Sequence, residues 1–379
     1  MKQFVFYNPT RIVFGEGKTS DIGRYLKGQK CLFLYGSSSI KQNGIYDKVV
    51  DSLKNHGITF VEKSGVKPNP VLSFVHEAID LARKEQVDCI LAVGGGSVID
   101  TAKAVAAGFY YDGDVWDFFV DKARITKALP IYVVLTLSAT ASEMNSGAVI
   151  TNETTKQKFN IQGESLFPKT SILDPTNTYT VPKRQVANGS VDAIVHLLEG
   201  YFTGKYPNTP IQDGFVETLV KAMIASTKKI LENPTDYDAR ANFMWSATLA
   251  LNGLTTAGIG EYGFPNHMMG HSLSALYNVD HGASLSIVFP AWLKYNESTL
   301  SDRLAHFGKE VFDKAGAKEA IAAIEEYFHA IGAPVRLNEV NIDKGEIKKI
   351  AENAVSLAKK WGLKSYTEDV IAKILEFAA

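Results

Sequence analysis

Asp192 and His196 stand four residues apart in the run Ser190-Val191-Asp192-Ala193-Ile194-Val195-His196-Leu197-Leu198-Glu199-Gly200. Val191, Ile194, Val195 and Leu198 recur at helical spacing and give one apolar face. Ser190 is placed to cap that helix after the Asn188-Gly189 break. Residues i and i+4 share a face, so the carboxylate and the imidazole lie one turn apart. They can chelate one divalent cation, or simply hydrogen-bond to each other. Further on, His267, His271 and His281 fall within fifteen residues, in Asn266-His267-Met268-Met269-Gly270-His271 and Asp280-His281-Gly282. The chain has eight histidines, and four in two apolar stretches exceed what packing asks for. One carboxylate with imidazoles suits Fe²⁺ or Zn²⁺. His267 and His271 are themselves i,i+4 partners, and spacing alone admits either as a ligand.

A second chemistry is suggested by Gly94-Gly95-Gly96-Ser97. This turn follows an apolar run at 88–93 and opens a segment with Ile99, Ala102, Val105 and Ala106 on one face. Backbone without side chains lets phosphate oxygens approach N–H groups at a helix start, where the dipole favours negative charge. The same turn also serves as a plain tight strand-to-helix connection. Asp100 and Lys103 follow at i,i+3 spacing, which by itself reads as a solvated ion pair. Another small, hydroxyl-rich loop, Thr136-Leu137-Ser138-Ala139-Thr140-Ala141-Ser142-Glu143, comes after the apolar run at 130–135. Loops of this kind at strand ends are where doubly wound sheets bind dinucleotides.

The elements that must position these residues fall into two halves. Apolar runs at 30–35, 58–62, 88–93 and 130–135 read as buried strands, the first bounded by Gly28 and Gly36. Segments 46–56, 71–85 and the one after Gly96 read as helices between them. This alternation implies a parallel sheet with helices on both faces. Residues 1–14 suggest strand pieces around Asn8-Pro9, and 148–150 and 171–173 further strands. Past Pro182 the pattern turns helical, at 211–232, 239–252, 266–277, 298–315, 317–331, 343–361 and 366–378. A boundary near 180–183 therefore separates an α/β domain, 1–181, from an all-α domain, 182–379.

A length of 379 residues exceeds one ordinary core and agrees with two domains. Apolar residues make up 45% and charged residues 21%, a globular composition. The net charge of −1 and the lack of a long basic run argue against nucleic acid as a partner. No run of about eighteen apolar residues and no signal-like start occurs, which points away from membranes and to the cytoplasm. Cys31 and Cys89 sit in apolar runs and read as buried thiols.

Three features coincide: Gly94-Gly95-Gly96-Ser97-x-x-Asp100-x-x-Lys103, the 136–143 loop, and Asp192-x-x-x-His196 followed by His267 and His281. Together they resemble the iron-containing (group III) alcohol dehydrogenase family. Within it the chain is most similar to the NADPH-dependent butanol dehydrogenase and aldehyde reductase branch. The likeness runs from Pro9-Thr10-Arg11 to the C-terminal helices. It implies a Rossmann-like N-terminal domain, a helical C-terminal domain and an active-site cleft between them, the plan also of dehydroquinate synthase. It makes Asp192, His196, His267 and His281 the ligands of one divalent metal, and puts His271 near the substrate. It sets Gly94, Gly95, Gly96, Ser97 and Asp100 along the cofactor's pyrophosphate and nicotinamide ribose, with Asn69, Thr136, Leu137, Thr140 and Lys158 also lining that groove. A homodimer through the N-terminal strands is implied too. One departure stands out: Ala139 and Ala141 occupy positions where many relatives carry glycine, which narrows the allowed backbone.

The implied activity is reversible hydride transfer. The metal polarises a carbonyl oxygen, the nicotinamide carries the hydride, and the proton comes from His271, water or the ribose hydroxyls. Gly36-Ser37-Ser38-Ser39 corresponds to the place where NAD-preferring enzymes carry an acid for the ribose 2′-hydroxyl. Here no acid precedes Asp47 and Lys41 is close by, so NADP(H) is expected over NAD(H). Residues 259–277 hold no Lys or Arg, and Tyr262, Phe264, Met268, Met269, Leu273 and Leu276 make the neighbourhood apolar. Short to medium aliphatic aldehydes and primary alcohols follow as substrates. The alternative, a metal-dependent lyase of the dehydroquinate synthase type, needs basic residues there for a carboxylate and a phosphate.

Overall fold

The computed structural model describes residues 1–27 and 30–379, so Gly28, the expected strand boundary, lies outside the described residues. The chain divides into two compact units. A sheet unit takes Tyr7–Val181 and Pro234–Thr248; a helical unit takes Met1–Phe6, Pro182–Asn233 and Leu249–Ala379.

In the sheet unit the strands are β1 (Arg11–Phe14), β2 (Lys30–Tyr35), β3 (Thr59–Lys63), β4 (Cys89–Gly94), β5 (Ile131–Leu135), β6 (Gly147–Asn152), β7 (Gln157–Gln162) and β8 (Thr170–Leu173). Six of them form a parallel sheet in the order β1-β8-β5-β4-β2-β3. Every residue of β4 and β5 is buried, which is why these strands read as unbroken apolar runs. Helices α1 (Ile45–Asn55), α2 (Leu72–Lys84) and α3 (Gly96–Gly108) connect them. Val49 and Leu53 of α1 join Phe33, Leu91 and Val134 in one core. The chain passes from β2 outward to β3, then returns to β4 on the other side of β2. The order therefore reverses between β2 and β4, a topological switch point of the kind where open α/β sheets bind ligands. Cys31 and Cys89 are register partners across that junction, both buried and free. The Cys89 thiol, then burial, push the Cys31 thiol far up, so it stays protonated and inert.

Two expectations change here. Strand pieces within residues 1–14 reduce to β1 alone, since residues 1–10 take no regular form. The antiparallel β6–β7 hairpin adds a strand that polar Gln157, Lys158 and Asn160 had hidden.

The helical unit contains α4 (Lys183–Thr203), α5 (Pro210–Glu232), α7 (Pro265–Tyr277), α8 (His281–Tyr295), α9 (Ala317–Ala330), α10 (Ile347–Lys360) and α11 (Glu368–Glu376). Most of α6 (Tyr237–Ala250) belongs to the sheet unit. Ser190 is not an N-cap: α4 begins seven residues earlier and runs through Asn188-Gly189. Its hydroxyl instead meets Tyr327 at 2.8 Å and Thr227 at 2.9 Å. Helix α8 was not expected. All of Gly282–Leu293 is buried, so no polar face marks a period, and Pro290 lies inside it. The expected helix at 298–315 is shorter, Ser301–Phe307, and ends in a π turn at Gly308–Phe312. Among the described residues no helix is long and apolar enough to cross a membrane.

Candidate functional site

Helices α4, α7 and the start of α8 bring the predicted ligands together. Asp192 and His196 project from one face of α4, and Asp192 Oδ1 lies 3.3 Å from His196 Nδ1. His267 Nε2 from α7 is 3.7 Å from the same oxygen, and His281 Nε2 from α8 is 3.5 Å away. Asp192, His267 and His281 offer donor atoms all within 4.8 Å of one another. His196 lies beside this trio, its ring stacked on His267 at 4.3 Å between centroids.

Asp192, His196 and His267 are almost fully buried. Asp192 Oδ1, His196 Nδ1 and His267 Nε2 make no hydrogen bond. Buried polar atoms left so cost about 1–3 kcal/mol each, and a cation beside Asp192 Oδ1, where His267 and His281 also converge, would satisfy the carboxylate and the imidazole together. Burial keeps His196 neutral, lowering it to about 4, which leaves its lone pair for coordination. Burial also opposes charge on His267, but Asp192 and Glu199 outweigh it and hold His267 above the ordinary value. The two carboxylates thus draw positive charge to this spot. The donor set fits Fe²⁺ or Zn²⁺.

Glu199 was not singled out from the sequence. It sits three residues beyond His196 and seven beyond Asp192, on their face of α4, and that spacing was the available signal. Its carboxylate is buried and accepts from Asn266 N, His267 N, His267 Nδ1 and Asn266 Nδ2 at 2.9–3.1 Å.

His271 is buried on α7, its ring 5.3 Å from that of His281 and 5.6 Å from Trp361. Trp361, just after α10, also faces Phe264, which in turn packs edge-on to His267. The apolar neighbourhood is therefore not the expected one. Met268, Met269 and Leu273 are 0% exposed and belong to the core. The aromatic wall comes from Phe264 and from Trp361, nearly a hundred residues away in sequence.

In the sheet unit, the three loops expected to hold a cofactor leave the carboxyl ends of adjacent strands: Gly36–Ser39 after β2, Gly94–Ser97 after β4 and 136–143 after β5. A Cβ on Gly96 would meet Thr140 Oγ1 at 2.5 Å, so glycine there lets the second loop lie against the first. Gly96 and Ser97 open α3, and N–H groups of a first helical turn have no partner within the helix. Such groups are what a helix start offers to an anion. Leu137 covers Gly95, and Thr136 N bonds Gly94 O at 3.1 Å. Lys158 and Asn69 meet in a buried hydrogen bond of 2.8 Å. Ala141 adopts φ 53, the left-handed conformation a glycine takes freely, at about 1–2 kcal/mol for alanine.

Asp100 and Lys103 do not form a solvated pair. Asp100 accepts from Ser142 Oγ at 2.6 Å and from Val149 N at 3.0 Å, bracing α3 to the loop and to β6. Lys103 is fully buried, and its ammonium faces Ser142 Oγ, Asn145 O, Asn145 Oδ1 and Gly147 O at 2.7–3.0 Å. Ser37, Ser38 and Ser39 are exposed, and Ser39 opens the single turn Ser39–Gln42. Lys41 is less available than the sequence suggests. It lies 4.6 Å from the Tyr46 ring and 3.8 Å from Glu62 on β3. Burial works against the Glu62 charge, but the Tyr46 and Tyr35 hydroxyls and Lys41 outweigh it.

The chain is similar over nearly its whole length to proteins of one family. The family model for iron-containing alcohol dehydrogenase matches residues 9–175, and that for the C-terminal part of the same family matches 186–379. An NADH-dependent butanol dehydrogenase A of Clostridium acetobutylicum is 44% identical over 366 residues, 94% of this chain and 93% of that protein. The NADPH-dependent aldehyde reductase YqhD of Escherichia coli is 38% identical, over 94% of this chain and 95% of its own. The crystal structure of an NADH-dependent butanol dehydrogenase A from Thermotoga maritima superposes with a TM-score of 0.96 at 48% identity, covering 100% of this chain and 99% of that one.

Proposed function

The chain belongs to the iron-containing alcohol dehydrogenase family, and on that premise we propose NADP(H)-linked reduction of short to medium aliphatic aldehydes, reversed for primary alcohols, at one divalent metal held by Asp192, His196, His267 and His281. It is an oxidoreductase interconverting alcohols and aldehydes with a nicotinamide cofactor. The observation that carries the ligand assignment is the convergence of donor atoms of Asp192, His267 and His281 within 4.8 Å of one another, with His196 Nδ1 3.3 Å from Asp192 Oδ1 alongside. When bound, Fe²⁺ or Zn²⁺ supplies Lewis acidity toward a carbonyl oxygen, and the nicotinamide gives or takes hydride.

The chain's own residues do the rest. Asp192 contributes the one negative charge of the ligand set. Gly96 and Ser97 orient the cofactor through its phosphates, and Lys158 and Asn69 remain in its groove. To His271, its ring 5.3 Å from that of His281, we assign the transfer of a proton to the developing alkoxide. Phe264 and Trp361 exclude water and favour an alkyl chain, which supports dehydrogenase over lyase chemistry. The exposed apolar side chains of Phe4, Val5 and Phe6 support a homodimer, and two free buried cysteines agree with the cytoplasm.

Gly282 tests the ligand assignment. A Cβ there would lie 2.1 Å from the carbonyl oxygen of Asn188 on α4. Gly282→Ala should push the start of α8 away and withdraw His281 from Asp192. Disturbing the orientation of a metal ligand costs about 10- to 100-fold in metal affinity. Chelator competition with zinc is expected to show weaker binding of that order. Unchanged affinity would remove His281 from the set.

The choice of cofactor rests on the exposed hydroxyls of Ser37–Ser39 and the absence of an acid on that loop. Steady-state kinetics with butanal should give a higher kcat/KM with NADPH than with NADH, mainly through KM. Ser37→Asp is expected to move the ratio toward NADH by about 1–3 kcal/mol, a charge-assisted hydrogen bond lost and a repulsion gained. The second reading, NAD(H), is favoured by the commitment of Lys41 to Glu62 and by the NADH-dependent relatives. Equal kcat/KM values, or a ratio indifferent to Ser37→Asp, would decide against this loop as the discriminator.

A further inference from the structure

We propose that Glu199 is a positioning residue of this centre: its carboxylate holds the His267 proton on Nδ1 and so presents the Nε2 lone pair to the divalent ion. The inference rests on the metal reading above and goes beyond its ligand set. Four donors converge on this carboxylate. Oε1 takes the backbone N–H groups of Asn266 and His267 at 2.9 Å and faces His267 Nδ1 at 3.1 Å. Oε2 takes Asn266 Nδ2 at 3.0 Å. The side chain is fully buried.

Chemistry fixes the direction of the Nδ1 contact. An ionised carboxylate only accepts, so Nδ1 must carry the hydrogen. In the neutral ring, the form that can bind a cation, Nε2 is then the unprotonated nitrogen, and it lies buried without a hydrogen bond, 3.7 Å from Asp192 Oδ1. A carboxylate on the far nitrogen also raises the donor strength of the near one. The two backbone bonds add placement. Asn266 and His267 are in the first turn of α7, where N–H groups lack helical partners. One carboxylate from α4 therefore caps α7, sets its register against Asp192 and His196, and orients the ring that α7 contributes.

Capping alone would make Glu199 merely structural, and Glu199→Gln separates the two roles. The amide keeps the size and one accepting oxygen. Asn266 Oδ1 makes no hydrogen bond at present, so rotation of the Asn266 amide can receive the new N–H. The negative charge behind His267 is lost while the cap survives.

The experiment uses the full chain, stripped of metal, with zinc titrated against a chromophoric chelator. Glu199→Gln should bind zinc about 10- to 100-fold more weakly than the unmodified protein, while its metal-free melting temperature stays close to the original. Asp192→Ala is the control. If it loses zinc and Glu199→Gln does not, the positioning role is wrong and the metal reading stands. If both bind as tightly as the original, both readings fall. A measurement on the unmodified protein needs no variant to fold: nitrogen-15 NMR of the imidazoles, with the His267 signals identified by their loss in His267→Asn. Recorded above the pH at which the ring gives up its second proton, the metal-free protein is expected to keep the remaining proton on Nδ1; a neutral ring protonated on Nε2 overturns the proposal.

Discussion

Asp192→Ala is expected to abolish metal binding and lower aldehyde reduction by about 10³-fold or more, with the protein still folded. The size follows from several kcal/mol of transition-state charge stabilisation supplied by a Lewis acid, at 1.36 kcal/mol per tenfold. Retention of the fold follows from the geometry. Asp192 is 2% exposed, and its Oδ1 makes no hydrogen bond, so its removal leaves no hydrogen-bond donor newly unpaired. The metal-free variant should therefore melt close to the metal-free original. Ligand linkage gives a second readout, because a bound ion stabilises only the form that binds it. Adding a chelator should lower the melting temperature of the original and leave that of Asp192→Ala unchanged. Calorimetry with and without chelator, alongside butanal reduction, decides the matter. Full activity in Asp192→Ala, or a chelator response equal to that of the original, would sink the assignment.

The largest stability effect is expected at Lys103. Lys103→Met keeps the aliphatic volume but removes the ammonium from four oxygens, leaving Asn145 O and Gly147 O without it inside the sheet unit. Breaking a buried charged network from one side costs about 3–5 kcal/mol. Asp100 and Glu143 lose the same nearby cation. The effect carries a pH signature. Burial lowers Lys103 to about 8 from 10.5, with Asp100 and Glu143 pulling back. Between those values the unfolded chain holds a proton that the folded chain releases, so folded stability rises with pH across that window. The variant lacks this contribution. Urea unfolding at several pH values should thus show a gap between original and variant that widens from pH 8 toward pH 10. A loss under about 1 kcal/mol, the scale of one ordinary hydrogen bond, would show that the ammonium is not the tie described here.

Lys103 also shows where local reading stops. At i,i+3 from Asp100 it has the spacing of a surface pair, and nothing within the helix tells otherwise. Its burial depends on where the loop at 142–147 crosses α3. Lys41 behaves alike. It looked unpaired until β3, placed beside β2 by the parallel sheet, set Glu62 within 3.8 Å. Met268, Met269 and Leu273 were expected to line the substrate's place because they are apolar and near His267. Apolar character marks a core residue equally well, and they are core.

What the sequence by itself determined is what short-range periodicity and residue chemistry encode. The inner strands of the parallel sheet are buried on both faces and read as apolar runs, so the α/β half was legible. The i,i+4 pair Asp192 and His196 was legible because 3.6 residues per turn fixes their common face. The glycine turn before α3 was legible because it stands between an apolar strand-like run and a segment of helical period. The tertiary structure decided the rest. It chose where α7 and α8 cross α4, and hence that His267 Nε2 and His281 Nε2 converge on Asp192. It gave Glu199 its four donors, since those belong to Asn266 and His267, 67 and 68 residues away. It revealed α8 itself, whose burial on every side erases the amphipathic signal. The physical reason is common to all of these. Helix and strand periods are set by bonds between near neighbours, whereas the partner of a buried charge is set by packing between distant segments.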